Sequence, residues 1–224
     1  MSTPLPAQPV RLQLTEIYLS TQGESTWAGL PCTFVRLTGC PLRCTYCDTE
    51  YAFYGGSKME LAQVMDKVRE LGCPLVEVTG GEPLAQPNCI HLLQALVDEG
   101  YQVLLETSGA YPVKDVPVPV VRIMDLKCPS SGECHRNLME NLDHLQPHDE
   151  IKFVLGSRED YEWAREQVSA YALTDKVMAV LFSCVFGKLE PAELISWMLE
   201  DRLYRVRYQL QAHKFIWPPD TKGV

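Results

Sequence analysis

The sequence predicts an α/β protein whose core is an incomplete (β/α) barrel of about six parallel strands. Short β-rich runs alternate with amphipathic helical segments over most of the chain. These units number roughly six or seven, which is fewer than the eight of a complete barrel. Four unusual short motifs each follow a predicted strand, and the C-terminal ends of parallel barrel strands form the active-site face.

Each strand is predicted from a β-rich or alternating pattern, and each helix from apolar residues at helical spacing. The first strand, 12–19, alternates apolar with polar residues, and a proline opens the helix 191–203. Right-handed crossovers between the parallel strands would curve the sheet toward a barrel. The remaining predicted strands are 33–37, 75–79, 102–107, 118–126, 150–155, 176–184 and 204–210, and the remaining helices are 58–71, 90–97, 137–145 and 158–171.

The length of 224 residues predicts a single domain, 1–224, with a short Pro-rich N-terminal extension over 1–10 and a C-terminal tail. Lys and Arg number 20 and Asp and Glu 29, so the net charge of −9 argues against a nucleic-acid partner. The chain opens with no basic-then-apolar leader, and no apolar run approaches the ~18 residues of a membrane span. We therefore expect no membrane partner, reduced cysteines and a cytoplasmic location.

Three cysteines, Cys40, Cys44 and Cys47, follow the strand 33–37 with C-x3-C-x2-C spacing. Structural zinc sites and ordinary electron-transfer iron–sulfur clusters use four protein ligands, so three cysteines indicate a [4Fe–4S] cluster with one iron open to chemistry. The spacing, with an aromatic residue just before the last cysteine, resembles the radical S-adenosylmethionine (SAM) superfamily. The alternative is a zinc site completed by Cys32, eight residues upstream of Cys40.

Further motifs offer binding groups at the predicted rim, and each also has an ordinary interpretation. Gly80-Gly81-Glu82-Pro83 allows close backbone approach and adds a carboxylate, but it is also a tight turn. Glu106-Thr107-Ser108-Gly109 offers hydroxyl groups, and Lys127 is either a ligand contact or a solvated surface lysine. Arg36, inside a strand, is either solvated or an anion clamp. Thr49 is either a helix N-cap or an oxygen ligand for Mg²⁺.

Motifs spread from about residue 16 to the C-terminus together resemble the 7-carboxy-7-deazaguanine synthase family. The resemblance is carried by six motifs. They are Thr21-Gln22-Gly23-Glu24, Phe34-Val35-Arg36, Cys47-Asp48-Thr49, Gly80-Gly81-Glu82-Pro83, Glu106-Thr107-Ser108-Gly109 and the tail Gln211-Ala212-His213-Lys214. It implies a small radical-SAM enzyme with a reduced barrel. It also implies conversion of 6-carboxy-5,6,7,8-tetrahydropterin to 7-carboxy-7-deazaguanine with loss of ammonia, in the biosynthesis of queuosine and other 7-deazapurines.

The resemblance further implies cofactors, partners and site residues. The cofactors would be a [4Fe–4S] cluster on Cys40, Cys44 and Cys47, SAM, and Mg²⁺ on Thr49. The partners would be a small pterin substrate, a flavodoxin-like electron donor and a second copy of the chain, with no direct nucleic-acid contact. The SAM-binding residues would be Tyr46, Cys47, Asp48, Gly80, Gly81, Glu82, Gly109, Asp125, Leu126 and Lys127. The substrate-binding residues would be Thr21, Gln22, Gly23, Arg36, Thr107 and Val224, with the C-terminal tail closing over the substrate.

Two positions depart from the family pattern, and two other functions stay open. Ser25 stands where the family commonly has glycine, so a positive φ there would strain the serine. Asp125-Leu126 precede Lys127 where the family often has Ser-Pro. The alternative functions are an activase that installs a glycyl radical on a partner protein and a non-catalytic, zinc-stabilised interaction module. The compact carboxylate-binding set of Arg36, Thr49 and Gln22 favours a small-molecule substrate.

Overall fold

Strands and helices alternate along the computed structural model, which describes residues 9–219 and 221–224. The strands are β1 (Arg11–Thr21), β2 (Pro31–Leu37), β3 (Ser57–Glu60), β4 (Leu75–Gly80), β5 (Gln102–Thr107), β6 (Val121–Asp125), β7 (Glu150–Leu155), β8 (Ala179–Cys184) and β9 (Val206–Tyr208). The helices are α1 (Leu61–Leu71), α2 (Cys89–Asp98), α3 (Arg158–Ala170), α4 (Leu173–Lys176), α5 (Pro191–Glu200) and α6 (His213–Ile216). Short 3-10 helices cover Glu50–Ala52, Pro83–Ala85, Pro129–Ser131, Cys134–Arg136 and Met139–Asp143.

One sheet contains all of these strands, in the order β3-β1-β2-β4-β5-β6-β7-β8-β9. From β2 to β9 neighbouring strands run parallel, whereas β1 pairs antiparallel with both β2 and β3. Within the described residues, the two edge strands do not pair with each other, so the sheet stays open. The prediction of an incomplete (β/α) barrel is confirmed, with seven parallel strands and an antiparallel extension.

The sheet is buried on both faces, which explains why its central strands consist mostly of apolar residues, with a few buried charged residues such as Glu77 and Lys152. The helix-facing side packs residues such as Val35, Val78 and Leu105 against the apolar stripes of α1 and α2. The opposite, concave side carries a smaller apolar cluster of Cys32, Phe34, Cys73, Leu75, Leu104, Val121 and Ile123. Beyond this cluster, toward the C-terminal strand ends, the inward side chains become polar and line a pocket.

Helix boundaries follow local capping signals. The Glu60 N–H donates to the Gln63 side chain at 2.9 Å at the start of α1, and Gly72, in the left-handed conformation, ends that helix. Pro191 occupies the first turn of α5, where its missing N–H costs nothing. Ser157 caps α3 by accepting a hydrogen bond from the Asp160 N–H at 3.2 Å.

Several predicted boundaries were wrong. The helix predicted at 58–71 starts only at Leu61, because Ser57–Glu60 pairs with the edge of β1 as β3. The strand predicted at 176–184 begins at Ala179, after the short helix α4. The segment 137–145 contains a 3-10 helix, the strands predicted at 118–126 and 204–210 are shorter, and the helix predicted at 191–203 ends at Glu200.

Each rim motif lies at the C-terminal end of a parallel strand, as predicted. The cysteine loop follows β2, Gly81-Glu82-Pro83 follows β4, Ser108-Gly109 follows β5 and Leu126-Lys127 follows β6. The sequence motifs therefore converge on one edge of the sheet.

Residues 1–8, most of the predicted Pro-rich extension, lie outside the described residues. Of the helices that the structure describes, none is both long and apolar enough to cross a lipid bilayer.

Candidate active site

A cavity of about 530 Å³ opens at the C-terminal ends of the parallel strands. Its walls come from the loop after β2, the ends of β4 to β7 and the C-terminal tail. The sheet register sets inward side chains side by side, with Arg36 next to Thr79 and Asp125 next to Lys152. Residues that are far apart in the sequence thus meet in one pocket.

The three cysteines of the C-x3-C-x2-C motif line this pocket, and their thiols are free. Their loop is anchored to the segment after β6, since Thr45 N donates to Ser131 O at 3.0 Å and Thr45 Oγ1 to Ser130 O at 2.7 Å. Gly81 passes so close that a Cβ there would lie 2.6 Å from Cys40 Cβ, which explains the glycine. The cysteine loop is therefore held between the rims of β4 and β6.

The surroundings of the three thiols fit a metal cluster. Burial raises the pKa of Cys40, Cys44 and Cys47, in the case of Cys44 to about 11. Thiolates in this setting need a nearby positive charge, which bound iron supplies. In residues 9–219 and 221–224, no three His, Cys, Asp or Glu side chains lie close enough together to hold one metal ion. In a cluster each thiolate binds its own iron atom, so the three thiols need not converge on a single ion.

Cys32 does not complete a zinc site with these cysteines. It is fully buried in β2, within the concave apolar cluster, and its Sγ lies 3.6 Å from Thr33 O as a weak donor. It does not line the pocket. The zinc alternative therefore lacks its predicted fourth ligand.

Seven of the predicted SAM residues line the pocket: Tyr46, Cys47, Asp48, Gly80, Gly81, Asp125 and Lys127. Lys127 Nζ lies 2.7 Å from Asp125 Oδ2. The other oxygen, Asp125 Oδ1, is buried and has no hydrogen-bond partner in the part of the chain that the structure describes. Because an unpaired buried acceptor is costly, a ligand hydroxyl group fits this position. The pocket thus suits a cofactor that carries a ribose.

Glu82, Gly109 and Leu126 were predicted to contact SAM, but they do not line the pocket. Glu82 is fully buried, and its carboxylate accepts hydrogen bonds from Leu84 N at 2.9 Å and from Ser108 N at 2.7 Å. Leu126 is fully buried in the helix-facing core, and the carbonyl of Gly109 accepts a hydrogen bond from Leu138 N at 3.1 Å. In the structure these three residues therefore lie behind the pocket wall, and their contact with SAM stays a prediction.

All of the predicted substrate residues line the pocket: Thr21, Gln22, Gly23, Arg36, Thr107 and Val224. Arg36 Nε donates to Glu16 Oε1 at 2.7 Å, and Arg36 Nη2 donates to the Tyr18 hydroxyl at 3.0 Å. A guanidinium has five N–H donors, so these two contacts orient Arg36 and leave donors for a bound carboxylate.

Thr49 and Asp48 present oxygen atoms at the pocket wall. Thr49 sits at the N-cap position of the 3-10 helix Glu50–Ala52, but its hydroxyl makes no capping bond and donates instead to Asp48 Oδ1 at 2.9 Å. Burial disfavours the charged form of Asp48, but Lys214, at 2.6 Å, outweighs that effect and lowers the pKa to about 2. The Thr49 lone pairs stay available to a metal ion such as Mg²⁺.

The C-terminal tail forms one wall of the pocket. Ala212 N donates to Gly23 O at 2.9 Å, and Gln211 Nε2 donates to Glu24 Oε1 at 2.8 Å. A Cβ on Gly23 would lie 2.5 Å from His213 Nδ1, so only glycine lets the tail pack this closely. The turn after β1 is the surface on which the tail rests.

Ser25, in this same turn, has the positive φ that strains a serine. Its φ is 63°, in the left-handed region that glycine adopts easily. Its Oγ accepts a hydrogen bond from Trp27 N at 3.1 Å, which offsets part of the strain. The next residue, Thr26, donates its N–H to Glu150 Oε2 at 3.1 Å and so attaches the turn to β7.

Sequence reasoning gave no binding role to several pocket residues, which project inward from strands or lie in the turn and the tail. They include Tyr18, Glu24, Glu77, Glu106, Lys152 and His213. The available signal was a charged residue within an otherwise apolar strand, as Lys152 is in β7. The same signal had identified Arg36.

Comparisons with known proteins show the family of the chain. Residues 34–118 match the family model of the radical SAM superfamily. The chain is 51% identical to a 7-carboxy-7-deazaguanine synthase of Koribacter versatilis (strain Ellin345), covering 95% of this chain and 100% of that protein. It is 47% identical to one of Chlorobaculum tepidum, covering 100% of both. The crystal structure of QueE from Escherichia coli matches with a TM-score of 0.74 at 22% identity, over 91% of this chain and 95% of that one.

The structural likeness supports the fold, and the identity to the two relatives shows the family. Radical SAM enzymes use a [4Fe–4S] cluster and SAM, so these two cofactors follow from the match. By sequence identity over its whole length, the chain belongs to the 7-carboxy-7-deazaguanine synthases, a family of radical SAM lyases.

Proposed function

We propose that the chain converts 6-carboxy-5,6,7,8-tetrahydropterin to 7-carboxy-7-deazaguanine with loss of ammonia, in the biosynthesis of queuosine and other 7-deazapurines. One observation carries the proposal. A single pocket combines three cysteine thiols, the guanidinium of Arg36 and a carboxylate oxygen of Asp125 that has no partner among the described residues. These groups suit a cluster, a ribose-bearing cofactor and a substrate carboxylate respectively.

The cofactor side of the pocket is assigned to the cysteine loop and the ends of β4 and β6. Cys40, Cys44 and Cys47 hold the [4Fe–4S] cluster as thiolates. When bound, the cluster and SAM supply the radical that abstracts hydrogen from C6 of the pterin. Asp125 accepts a hydrogen bond from the ribose, and Lys127, 2.7 Å away, fixes that carboxylate. Gly80 and Gly81 leave room for SAM against the backbone.

The substrate side is assigned to Arg36, Thr49 and the C-terminal tail. Arg36, already oriented by Glu16 and Tyr18, clamps the pterin carboxylate through its remaining N–H donors. The Thr49 hydroxyl would hold Mg²⁺, an ion that takes few of its oxygen ligands from protein. The tail closes over the substrate, so that the terminal carboxylate of Val224 joins the site and water is excluded.

The same proposal includes the setting of the enzyme. The chain acts as a single-domain homodimer in the cytoplasm and receives electrons from a flavodoxin-like donor. These assignments rest on the family resemblance, and the acidic balance of the chain agrees with a small-molecule substrate rather than a nucleic acid.

An anaerobic turnover assay tests the proposal. The protein is reconstituted with iron and sulfide and supplied with dithionite, SAM, Mg²⁺ and 6-carboxytetrahydropterin, and products are measured by mass spectrometry. We expect 7-carboxy-7-deazaguanine that depends on SAM. Formation of 5′-deoxyadenosine without that product would favour the activase alternative. A colourless protein with one zinc and no sulfide would reject both enzyme functions.

A further inference from the structure

A closed ring of side-chain contacts forms the floor of the pocket. Lys152 Nζ donates to Glu24 Oε2 at 2.7 Å and also to Glu106 Oε1. Gln22 Nε2 donates to Glu77 Oε2, and Gln22 Oε1 accepts from the Glu24 N–H at 3.0 Å. The carboxyl groups of Glu77 and Glu106 face each other and complete the ring. The ring therefore ties together β4, β5, β7 and the turn after β1.

The ring needs a proton on one of its carboxyl groups. Two carboxyl groups can share a hydrogen bond only if one is protonated, and three carboxylates around one ammonium would leave excess negative charge in the interior. Glu77 is 2% exposed, and its burial, followed by the charge of Glu106, raises its pKa well above 4.5. Burial also disfavours ionised Glu24, but Lys152 outweighs it and lowers that pKa. Because Glu106 is 28% exposed and pairs with Lys152, the proton is assigned to the more deeply buried Glu77.

The other titratable groups around Glu77 do not supply a compensating charge. They are Tyr18 on β1 and Cys32 on β2. Burial raises the pKa of both, so both stay neutral at physiological pH. The one cation that the ring holds against Glu77 is Lys152, and it is shared with Glu24 and Glu106.

We propose that Glu77 is a positioning residue that acts as a neutral carboxyl group, donating to Glu106 and accepting from Gln22. In this way it fixes the floor of the pocket, on which the nitrogen-rich end of the pterin rests. The inference depends on the proposed function for the identity of that ligand. Glu77 itself is covered, whereas the side chains of Glu106 and Glu24 are 28% and 13% exposed in the pocket. Their carboxylates are acceptors suited to the adjacent ring N–H and amino group of a 2-aminopyrimidinone.

Three variants test this role. In Glu77→Gln, the amide oxygen can accept from Gln22 and the amide nitrogen can donate to Glu106, so the ring persists without a titratable group. In Glu77→Leu, both contacts are lost at similar volume. Glu70→Gln, at an exposed position on α1, controls for the loss of a carboxylate. We expect Glu77→Leu to raise the KM for the pterin about tenfold and Glu77→Gln to restore most of that loss.

The pH dependence distinguishes a protonated Glu77 from a merely structural one. In the wild type, KM should rise at alkaline pH as Glu77 loses its proton, while in Glu77→Gln this rise should vanish. Stability gives a second readout that needs no substrate. The unfolded chain releases the Glu77 proton above pH 4.5, whereas the folded chain retains it, so wild-type stability falls as pH rises. The Tm of Glu77→Gln minus that of the wild type should therefore increase between pH 5 and pH 8. The same difference for Glu70→Gln should show no such trend.

The outcomes separate this inference from the proposed function. If Glu77→Gln is as impaired as Glu77→Leu, or if its Tm difference from wild type does not change with pH, Glu77 acts as a carboxylate and the inference is overturned. If the wild type forms no deazaguanine but the Tm difference grows with pH as expected, the protonated ring stands and the proposed function is rejected.

Discussion

Replacing Glu82 by glutamine tests whether this motif carboxylate contacts the cofactor or holds the rim in place. Both of its oxygens are occupied by the protein. Oε1 accepts from Leu84 N and Thr107 Oγ1, each at 2.9 Å, and Oε2 accepts from Ser108 N at 2.7 Å and Ser108 Oγ at 2.5 Å. The fully buried carboxylate thus ties the turn after β4 to the turn after β5. Glutamine has nearly the same shape as glutamate, but one of the two carboxylate oxygens is replaced by an NH₂ group, which donates hydrogen bonds.

The loss of stability in Glu82→Gln depends on which of the hydrogen-bond donors around the side chain can reorient. The Thr107 and Ser108 hydroxyl groups can rotate, but the N–H groups of Leu84 and Ser108 cannot. Whichever way the glutamine amide is oriented, its NH₂ group faces one of these two N–H groups. A buried donor left unpaired costs about 1–3 kcal/mol. For a domain of this size that corresponds to a fall in Tm of roughly 2–12 °C.

Thermal unfolding and SAM titration of the reconstituted protein, run in parallel, separate the two roles of Glu82. A positioning role predicts a lower Tm together with a modest loss of SAM affinity, because the rim turns shift without losing a direct contact. Glu70→Gln, which removes an exposed carboxylate, should leave both unchanged. If Glu82→Gln unfolds at the wild-type temperature but no longer binds SAM, the carboxylate contacts the cofactor and the structural reasoning is refuted.

Substitutions at three further residues have defined outcomes. Cys44→Ala should abolish cluster binding and activity, and a variant that still holds four irons and turns over would contradict the ligand assignment. Thr49→Ala should weaken the Mg²⁺ dependence of turnover while the iron content stays normal; unchanged activation by Mg²⁺ would count against Thr49 as a ligand. Ser25→Ala keeps the strained φ but loses the acceptor for Trp27 N, so urea unfolding should show a loss of about 1 kcal/mol. Ser25→Gly should differ from wild type by less, because relief of strain offsets the lost bond.

Much of the fold could be predicted because parallel strands that are buried on both faces leave a local signal. The prediction gave the bounds of β5 and β7 correctly, since each is a short β-rich run with turn residues on either side. Ser57–Glu60 carries no comparable signal. It becomes β3 only because the edge of β1 offers backbone partners, and nothing within the segment itself indicates that pairing.

The residues of the candidate site also fall into those that the sequence could identify and those that it could not. Residues in contiguous motifs, such as Cys40 and Arg36, could be found because their spacing or their place in a strand is unusual by itself. Glu77 could not, since its role depends on partners from three other elements that only the sheet register brings together. Glu82 shows the opposite failure. The motif identified the residue, but the donors on Ser108 that occupy its carboxylate come from the neighbouring strand end, and nothing in the motif indicated them. A motif therefore locates chemistry along the chain, while the direction in which each side chain acts is decided by the strands beside it.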